Sequence, residues 1–191
     1  AFSGEVPVLD LPTDHPRPAL KTARGARIDR LIPAELADRL RKLGRANGST
    51  FVNVMLAAYK VYVARVSQVS DIVIGLPASG QAARGMPGVV GHCVNLLPIR
   101  TQIDWDKGFD KYLGMVRHAM LDAFDFQTYT YGELIRSLRL PRDPSRVMLV
   151  PVIFNIDNGI DLSTMSFGPV ETEFVTNPRN YEHFELYLNL T

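Results

Sequence analysis

The sequence predicts an α/β fold because two kinds of hydrophobic pattern are interleaved along it. Apolar residues spaced three and four apart, as in residues 33–44, 49–66 and 108–124, have the period of helices that bury one face. Nearly continuous apolar runs, as in residues 71–76 and 147–156, are typical of strands that are covered on both faces. Helices layered on a sheet satisfy both patterns.

Composition limits the size, partners and compartment of the protein. The chain has 191 residues, of which 46% are hydrophobic, which suits one sizeable core in one domain or lobe. Its 21 basic and 20 acidic residues nearly cancel, so bulk charge indicates neither nucleic acid nor a membrane surface as a partner. Cys93 is the single cysteine, which excludes an internal disulfide and agrees with a reducing compartment. No apolar run approaches the roughly 20 residues of a membrane helix, and no signal peptide is visible, so we expect a cytoplasmic protein.

The first part of the chain is expected to be extended. Four prolines fall within the first 18 residues, so residues 1–25 are interpreted as a linker that lies over a surface. Residues 26–32 predict a short strand, although charged side chains interrupt its apolar face. Pro33 then opens a helix, because its missing N–H costs nothing at that position, and Gly44 is expected to end it.

The next segment predicts a helix, a strand and a long loop. Ser49 or Thr50 caps a helix that is apolar around most of its circumference and is therefore buried on more than one side. The continuous apolar run 71–76 predicts a strand covered on both faces. Residues 77–91 contain four glycines and two prolines, so we expect no regular structure there. A loop of this length is either a solvated connector or a functional segment.

Two polar residues stand in an otherwise apolar strand pattern over residues 91–100. A buried amide without partners costs about 1 to 3 kcal/mol. Asn95 is therefore either a structural hydrogen-bonding residue or a group that faces a cavity, and Arg100 needs a partner as well. Pro98 removes a backbone donor, so the strand is expected to be bulged or at a sheet edge at that point.

Two further helices follow. Between residues 108 and 124 the apolar positions trace one helical face, and His118 falls about 180° from that face, so it is expected to point to solvent. Residues 131–140 predict a short helix that Pro141 ends.

The last part of the chain predicts strands. Residues 147–156 form a nearly continuous apolar run, and residues 183–190 alternate between apolar and polar, as in a strand with one wet face. Arg142, Asp143 and Arg146 precede the first of these strands. They form either a phosphate-binding patch or an ion-pair network that fixes the loop.

Four stretches match, in order, the motifs of one protein family, namely LPTDHPRP (11–18), GHCVNLLPIR (91–100), FQTYTYGE (126–133), and RDPSR (142–146) with VIFN (152–155). These resemble the motifs LPTDxPRP, (I/V)GxFVNxxxxR, HQDYPFE and RDxSRxPL…FN of condensation domains in nonribosomal peptide synthetases. Cys93 stands where the second motif usually has Phe, and the third match is loose. Because the motifs agree in order, the resemblance covers essentially the whole chain.

The resemblance implies a particular half of such a domain. The fold would be a chloramphenicol acetyltransferase-like lobe, a mixed sheet with helices packed on it. Residues 1–25 would be the linker between the two lobes, and residues 26–191 the C-terminal lobe, truncated at its C-terminal end. The family's catalytic motif HHxxxDG lies in the first lobe, and no two of the four histidines in this chain are adjacent. We therefore expect no catalytic residue here and no activity from this chain alone.

The resemblance also implies the chemistry. An amine on an acceptor carrier protein attacks the thioester of a donor acyl group, and both reach the site on phosphopantetheine arms between the lobes. The implied partners are the N-terminal lobe and the donor and acceptor carrier proteins. The arms act as substrates, and no cofactor or metal is bound directly. Substrate-binding roles are implied for Ser79, Gly80, Asn95 and Asn155, and the loop 77–91 is expected to reach the first lobe.

Two other functions stay open. One is a stand-alone acyltransferase of the same superfamily that uses CoA or a carrier protein, and the other is a non-catalytic recruitment or scaffold domain. Upstream sequence separates them: an intact HHxxxDG with carrier and adenylation domains supports the synthetase, an intact motif in a short protein the acyltransferase, and a degenerate motif the scaffold. A nucleophilic Ser79 is disfavoured, because the sequence places no histidine beside it.

Overall fold

The computed structural model describes residues 2–83, 85, 88–157, 168, 170 and 177–191. Four described strands, β1 (Asp71–Ser79), β2 (Val94–Gln102), β3 (Val152–Ile156) and β4 (Leu186–Leu190), form one sheet in the order β2-β1-β3-β4. β1 pairs antiparallel with β2 and parallel with β3, and β3 pairs parallel with β4. The described helices are α1 (Ala34–Ala46), α2 (Phe51–Ser67), α3 (Gly80–Ala83), α4 (Phe109–Asp125) and α5 (Tyr131–Leu138). The predicted α/β fold with helices on a mixed sheet is confirmed.

One face of the sheet, called here the α2 face, packs against α2 and α4. Side chains of paired residues on neighbouring strands share a face, and successive residues along a strand alternate between faces. The even-numbered residues of β1 belong to this face and contact the buried side of both helices. This larger part of the core includes Leu56, Val63, Ile74, Leu113 and Phe154, all almost completely buried.

The opposite face, called here the α5 face, holds a smaller group of buried residues. Val73 of β1 and Ile153 of β3 lie there beside Val150, and Leu134 and Ile135 of α5 pack against them. Phe2 and Val6 from the start of the chain also contact this group. The sheet is therefore covered on both sides, which explains why its central strands are continuously apolar.

A buried lysine in α2 was not predicted from the sequence. The side chain of Lys60 is fully buried, and its Nζ donates hydrogen bonds to the carbonyl oxygens of Ile72, at 3.0 Å, and Ile99, at 2.7 Å. Burial lowers the pKa of this amine from 10.5 to about 7, and the charge of Asp71 opposes part of that shift. Hydrophobic periodicity marks a lysine as a surface residue, so the pattern of α2 could not reveal this contact with the sheet.

The N-terminal segment lies over the folded core without regular structure. Residues 2–32 form no helix and no strand, and their one isolated bridge joins Arg24 to Tyr181. Leu9 is buried in the core, whereas Ile28 and Leu31 are exposed. The predicted strand at residues 26–32 is therefore wrong, because its charged residues leave it no continuous apolar face to bury.

Gly44 does not end α1. The helix continues to Ala46, because Gly44 is buried where α1 meets the turn before α2. A Cβ at this position would lie 2.9 Å from the carbonyl oxygen of Ser49, so the glycine permits a close approach of two backbones. Thr50 is the residue that caps α2, and its side chain accepts a hydrogen bond from the N–H of Asn53.

The prediction of an irregular segment over 77–91 is wrong for its first half. β1 continues through Pro77 to Ser79, and α3 follows directly, while residues 84, 86 and 87 lie outside the described part. Pro77 pairs with Leu96 at the end of the β1–β2 ladder. Pro98 lies in β2, which is at one edge of the described sheet, as its missing donor predicted.

Two strand boundaries and one helix boundary also differ from prediction. β3 begins only at Val152, because Pro151 and the left-handed backbone of Leu149, with φ of 62°, interrupt the apolar run before it. α5 ends at Leu138, where Arg139 adopts φ of 49°. β4 begins at Leu186, three residues later than predicted.

Candidate functional site at one end of the sheet

All four predicted site residues lie at the same end of the sheet. β1 ends at Ser79, with Gly80 directly after it, and β2 begins beside them with Asn95 paired to Ala78. β3 runs parallel to β1 and ends on the same side, where it carries Asn155. Residues from three separate parts of the chain are thus brought together.

The side chains of Ser79, Asn95 and Asn155 do not all lie on the same face of the sheet. Asn95 pairs with Ala78, which belongs to the core of the α2 face, so the Asn95 side chain is on that face. Ser79 follows Ala78, and Asn155 follows the α2-face residue Phe154, so both side chains point to the α5 face. The structure therefore groups Ser79 and Asn155 and separates Asn95 from them.

The turn after β1 depends on a close backbone contact. The N–H of Gly80 donates to the carbonyl oxygen of Cys93 at 2.7 Å. A Cβ on Gly80 would lie 2.6 Å from that oxygen, so only glycine fits without a shift. The exposed Ser79 hydroxyl donates to Oε1 of Gln81 at 2.6 Å, an arrangement that orients the hydroxyl but supplies no base for a nucleophile.

Asn155 is part of a polar cluster across β3 and β4. Its Nδ2 donates to Oδ1 of Asp157, at 2.9 Å, and to Oδ1 of Asn189, at 2.8 Å. Nδ2 of Asn189 in turn donates to Oδ2 of Asp157 at 2.9 Å. Sequence reasoning missed Asp157 and Asn189, because only the parallel pairing of Asn155 with Asn189 brings them together.

Asn95 makes hydrogen bonds with every polar atom of its amide. Nδ2 donates to the carbonyl oxygens of Gln127, at 2.8 Å, and Tyr129, at 3.0 Å. Oδ1 accepts from the backbone N–H groups of Leu96, at 3.0 Å, and Tyr131, at 3.1 Å. These partners agree with the interpretation of Asn95 as a structural hydrogen-bonding residue. Its role in substrate binding stays a prediction.

The other polar strand residue, Arg100, holds the start of β1. Its Nε and Nη2 donate to the Asp71 carboxylate at distances between 2.7 and 3.2 Å, and Nη2 also donates to the carbonyl oxygen of Glu5 at 2.8 Å. This forked pair lies at the opposite end of β1 from Ser79. Arg100 therefore stabilises the fold and lies outside the candidate site.

The basic cluster before β3 is an ion-pair network. Arg146 lies 2.9 Å from the Asp10 carboxylate and 3.5 Å from that of Asp143. Asp10 also contacts Arg17 at 3.3 Å, and the hydrogen bond from Arg146 holds the pKa of Asp10 below its usual range. For Asp143 and Arg146 these contacts favour the ion-pair interpretation over a phosphate site, because two carboxylates lie within 3.5 Å of the Arg146 guanidinium group, whereas Arg142 is exposed.

Two cavities of the described structure are lined by residues other than the predicted ones. A cavity of about 560 Å³ is lined by Arg17, Val66, Ser67 and Arg146, near the start of β1 and thus at the other end from Ser79. We assign the site to the sheet end because parts of three matched stretches meet there: Asn95, residues 127–131 that bind its amide, and Asn155. No cluster of His, Cys, Asp or Glu in the described residues is arranged to hold a metal ion. None of the described helices has the length and apolar character needed to cross a bilayer.

Sequence comparison identifies relatives along the whole chain. The family model described as "Condensation domain" matches residues 1–191. One plipastatin synthase protein of Bacillus subtilis (strain 168) is 36% identical over 194 residues and all of this chain, and a second plipastatin synthase protein of that organism is 40% identical over 157 residues and 82% of this chain. Tyrocidine synthase 2 of Brevibacillus parabrevis is 34% identical over 194 residues and all of this chain. The chain covers only 7%, 6% and 5% of these relatives' lengths.

Solved structures have the same fold. A four-domain nonribosomal peptide synthetase bound to AMP and glycine superposes with a TM-score of 0.78 and 20% identity, over 83% of this chain and 12% of that chain. The condensation domain from Monacolin K polyketide synthase superposes with a TM-score of 0.70 and 25% identity, over 85% of this chain and 40% of that chain. The described architecture is therefore the condensation-domain fold.

Proposed function

This chain belongs to the condensation-domain family, and from that premise we propose that it is the second lobe of a domain that forms amide bonds in nonribosomal peptide synthesis. The observation that carries the proposal is the family match over all 191 residues. The convergence of Asn95 and Asn155 at one end of the sheet supports it, because these residues come from two matched motifs that are far apart in the sequence.

This chain corresponds to less than half of a solved condensation domain, which supports the proposal that a partner lobe completes it. The chain covers 40% of the solved condensation domain from Monacolin K polyketide synthase, which leaves more than half of such a domain to other residues. Large apolar side chains are also exposed on the described surface, including Ile28 at 77% and Leu31 at 94%. Contact with a first lobe would cover surface of this kind.

The proposed reaction joins two carrier-bound substrates. The nitrogen of the acceptor amine attacks the carbonyl carbon of the donor thioester, the new C–N bond forms, and the C–S bond breaks. The amine loses one proton and the departing sulfur of the donor arm takes up one, so the product is an amide and a free thiol. The histidine that handles the amine would come from the first lobe, and this lobe would place the substrates.

The residues at the sheet end suit a role in positioning the two substrates. Asn155 donates both N–H groups of its amide to Asp157 and Asn189 and so orients Asn189, whose Nδ2 donates once, to Asp157. The second N–H group of Asn189 suits the carbonyl of a phosphopantetheine arm or a peptide without adding charge. The Gly80 backbone lies against Cys93, which keeps the turn after β1 narrow. We assign Ser79, Gly80 and Asn155 to the wall that substrates contact, and Asn95 to the same end on the opposite face of the sheet.

Complementation tests this function. The chain is mixed with a first lobe that carries HHxxxDG, an acyl-loaded donor carrier and an aminoacyl-loaded acceptor carrier, and amide product is measured by mass spectrometry. We expect product from the mixture and none from either lobe alone. Asn155→Ala should lower the rate about tenfold, whereas the exposed His118→Ala should not change it.

Two outcomes would contradict the proposal. Product formed by this chain without the first lobe would place the chemistry here and favour a stand-alone acyltransferase. A mixture in which the two lobes associate but form no product, while the first lobe is active with its own second lobe, would favour a non-catalytic role.

A further inference from the structure

The chain between α4 and α5 passes from one face of the sheet to the other. α4 packs on the α2 face through Tyr112, Leu113 and Val116, and α5 packs on the α5 face through Leu134 and Ile135. The connecting residues 126–130 make this crossing around β2, the strand at that edge of the described sheet. We call residues 126–130 the edge crossing.

The edge crossing is bound to the sheet by one side chain. Backbone groups in such a segment lie outside the strand ladder and need other partners. The two N–H groups of the Asn95 amide donate to the carbonyl oxygens of Gln127 and Tyr129, and its oxygen accepts from the N–H of Tyr131, all within 3.1 Å. Both sides of the amide are therefore used to hold the crossing.

The far end of the edge crossing is fixed independently. The Thr130 side chain accepts from the N–H of Glu133, and the Glu133 carboxylate accepts from the N–H of Thr130, which forms a capping box at the start of α5. The Tyr131 hydroxyl donates to the carbonyl oxygen of Met148 at 2.6 Å, next to the segment that leads into β3. Within residues 127–129, the N–H groups of Gln127 and Tyr129 donate to the carbonyl oxygens of Phe124 and Phe126, so local turns set the backbone and Asn95 joins it to the sheet.

The edge crossing carries two exposed aromatic rings to the site end. Phe126 is 74% exposed and Tyr129 is 49% exposed, and the β2 residue Val94, also exposed, pairs with Ser79. The carbonyl that Asn95 holds on Tyr129 belongs to the same residue whose ring is presented. The backbone from which that ring projects is therefore held in part by the Asn95 amide.

We propose that Asn95 is a positioning residue, which holds the edge crossing so that Phe126 and Tyr129 are fixed beside the wall formed by Ser79 and Asn155. This inference rests on the proposed function and specifies how the site is held. Asn95 acts through the aromatic rings and does not itself bind substrate. A substrate carbonyl could receive a hydrogen bond from the Asn95 amide only after one of its bonds to Gln127 or Tyr129 had broken.

Hydrogen exchange tests the anchoring step without any activity assay. In Asn95→Ala, the backbone amide of Tyr131 loses its acceptor, so we expect it to exchange about tenfold faster, together with faster exchange in residues 126–131. Asn155→Ala removes an amide at the same sheet end on the other face and should leave these rates unchanged. Thermal unfolding of each variant separates local loosening from a loss of global stability.

A double-mutant cycle tests whether Asn95 acts through the rings. The chain is assayed with the first lobe and loaded carriers as wild type, as Asn95→Ala, with both rings removed (Phe126→Ala with Tyr129→Ala), and with all three changes. We expect Asn95→Ala to lower kcat about tenfold in the wild-type background and less than twofold when the rings are absent. The KM for the acceptor carrier should change by less than the kcat, because the loss concerns orientation.

The outcomes separate this inference from the proposed function. An Asn95→Ala effect of the same size in both backgrounds would show direct contact with substrate and overturn the positioning role. Unchanged exchange at Tyr131 would overturn the anchoring step. Absence of product from the wild-type mixture would count against the proposed function, and the exchange rates would still decide whether Asn95 holds the crossing.

Discussion

The Nζ atom of Lys60 lies 2.7 Å from the carbonyl oxygen of Ile99 in the buried layer between α2 and the sheet. Its second acceptor is the carbonyl oxygen of Ile72, at 3.0 Å. A neutral amine has two N–H groups, which match these two acceptors, whereas the charged form has a third N–H to satisfy. The geometry therefore favours a neutral lysine that joins α2 to both β1 and β2.

The stability of the protein should depend on pH through Lys60. Its pKa is about 7 in the folded chain against 10.5 ordinarily, so between these values the unfolded chain binds more protons and stability rises with pH. Relative to Lys60→Met, the wild-type free energy of unfolding should increase by about 1.4 kcal/mol per pH unit across this window. Urea unfolding from pH 7 to pH 10 measures the difference. Lys42→Met, at an exposed lysine of α1, should show no such slope, and a flat wild-type difference would mean that Lys60 stays charged.

Gly80 should not tolerate a side chain. A Cβ would lie 2.6 Å from the carbonyl oxygen of Cys93, and that oxygen belongs to backbone that cannot easily move. We expect Gly80→Ala to lower the free energy of unfolding by about 1 to 3 kcal/mol. Gly114→Ala in α4 is the matched control, because no atom lies within 4 Å of its added Cβ. It should stabilise the helix by about 0.5 to 1 kcal/mol, and equal effects of the two changes would refute the close-contact argument.

The pair formed by Arg17 and Glu185 should stabilise the attachment of the N-terminal segment. Two parallel hydrogen bonds of 2.9 and 3.0 Å join these side chains, which are 21% and 11% exposed. A double-mutant cycle with Arg17→Met and Glu185→Gln should give a coupling free energy of about 1 kcal/mol. The more exposed pair of Arg27 and Asp29 should give a value near zero in the same measurement. No coupling between Arg17 and Glu185 would show that apolar contacts such as those of Leu9 hold the segment instead.

His118 should be dispensable for folding. Its side chain is exposed on α4, as the helical period predicted, and its Nδ1 lies 2.8 Å from the carbonyl oxygen of Gly114 in the same helix. His118→Ala should change the free energy of unfolding by less than about 0.5 kcal/mol, the usual range for surface substitutions. Chemical denaturation at pH 7 decides this, and a loss twice as large would reveal a contact that the helix phase does not explain.

Predictions from the sequence were correct where an element depends on neighbouring residues and failed where it depends on contacts between distant parts of the chain. α4 was predicted almost to its ends, because its apolar residues repeat with the helical period from Phe109 to Phe124. The strand at residues 26–32 was predicted wrongly, because a strand needs a partner and the local pattern cannot supply one. The strand pattern of β4 was recognised, but its pairing with β3 depends on residues more than thirty positions away. Its predicted wet face is only partly exposed, because Tyr187 packs against the buried group on the α5 face.

The same distinction applies to the candidate site: its residues could be chosen from the sequence, but their orientation could not. Asn95 was singled out because a polar group in an apolar strand is costly wherever it lies, whereas the roles of Ser79, Gly80 and Asn155 were implied by the family resemblance. Which of them share a face could not be known beforehand, because a strand alternates faces at each residue and the register of β1 with β2 and β3 sets the phase. Asp157 and Asn189 carried no signal in the sequence for the same reason.

The amino-acid sequence by itself determined helices α1, α2, α4 and α5, the buried strands and the family, since these depend on periodicity and on short motifs read in order. Only the tertiary structure decided that Lys60 is buried and that Asn95 binds the edge crossing rather than joining Asn155. Both outcomes depend on carbonyl and N–H groups of residues 12 to 39 positions away. Backbone hydrogen-bonding groups are the same in every residue, so the identity of their partners is not encoded in any local pattern and arises when the chain packs.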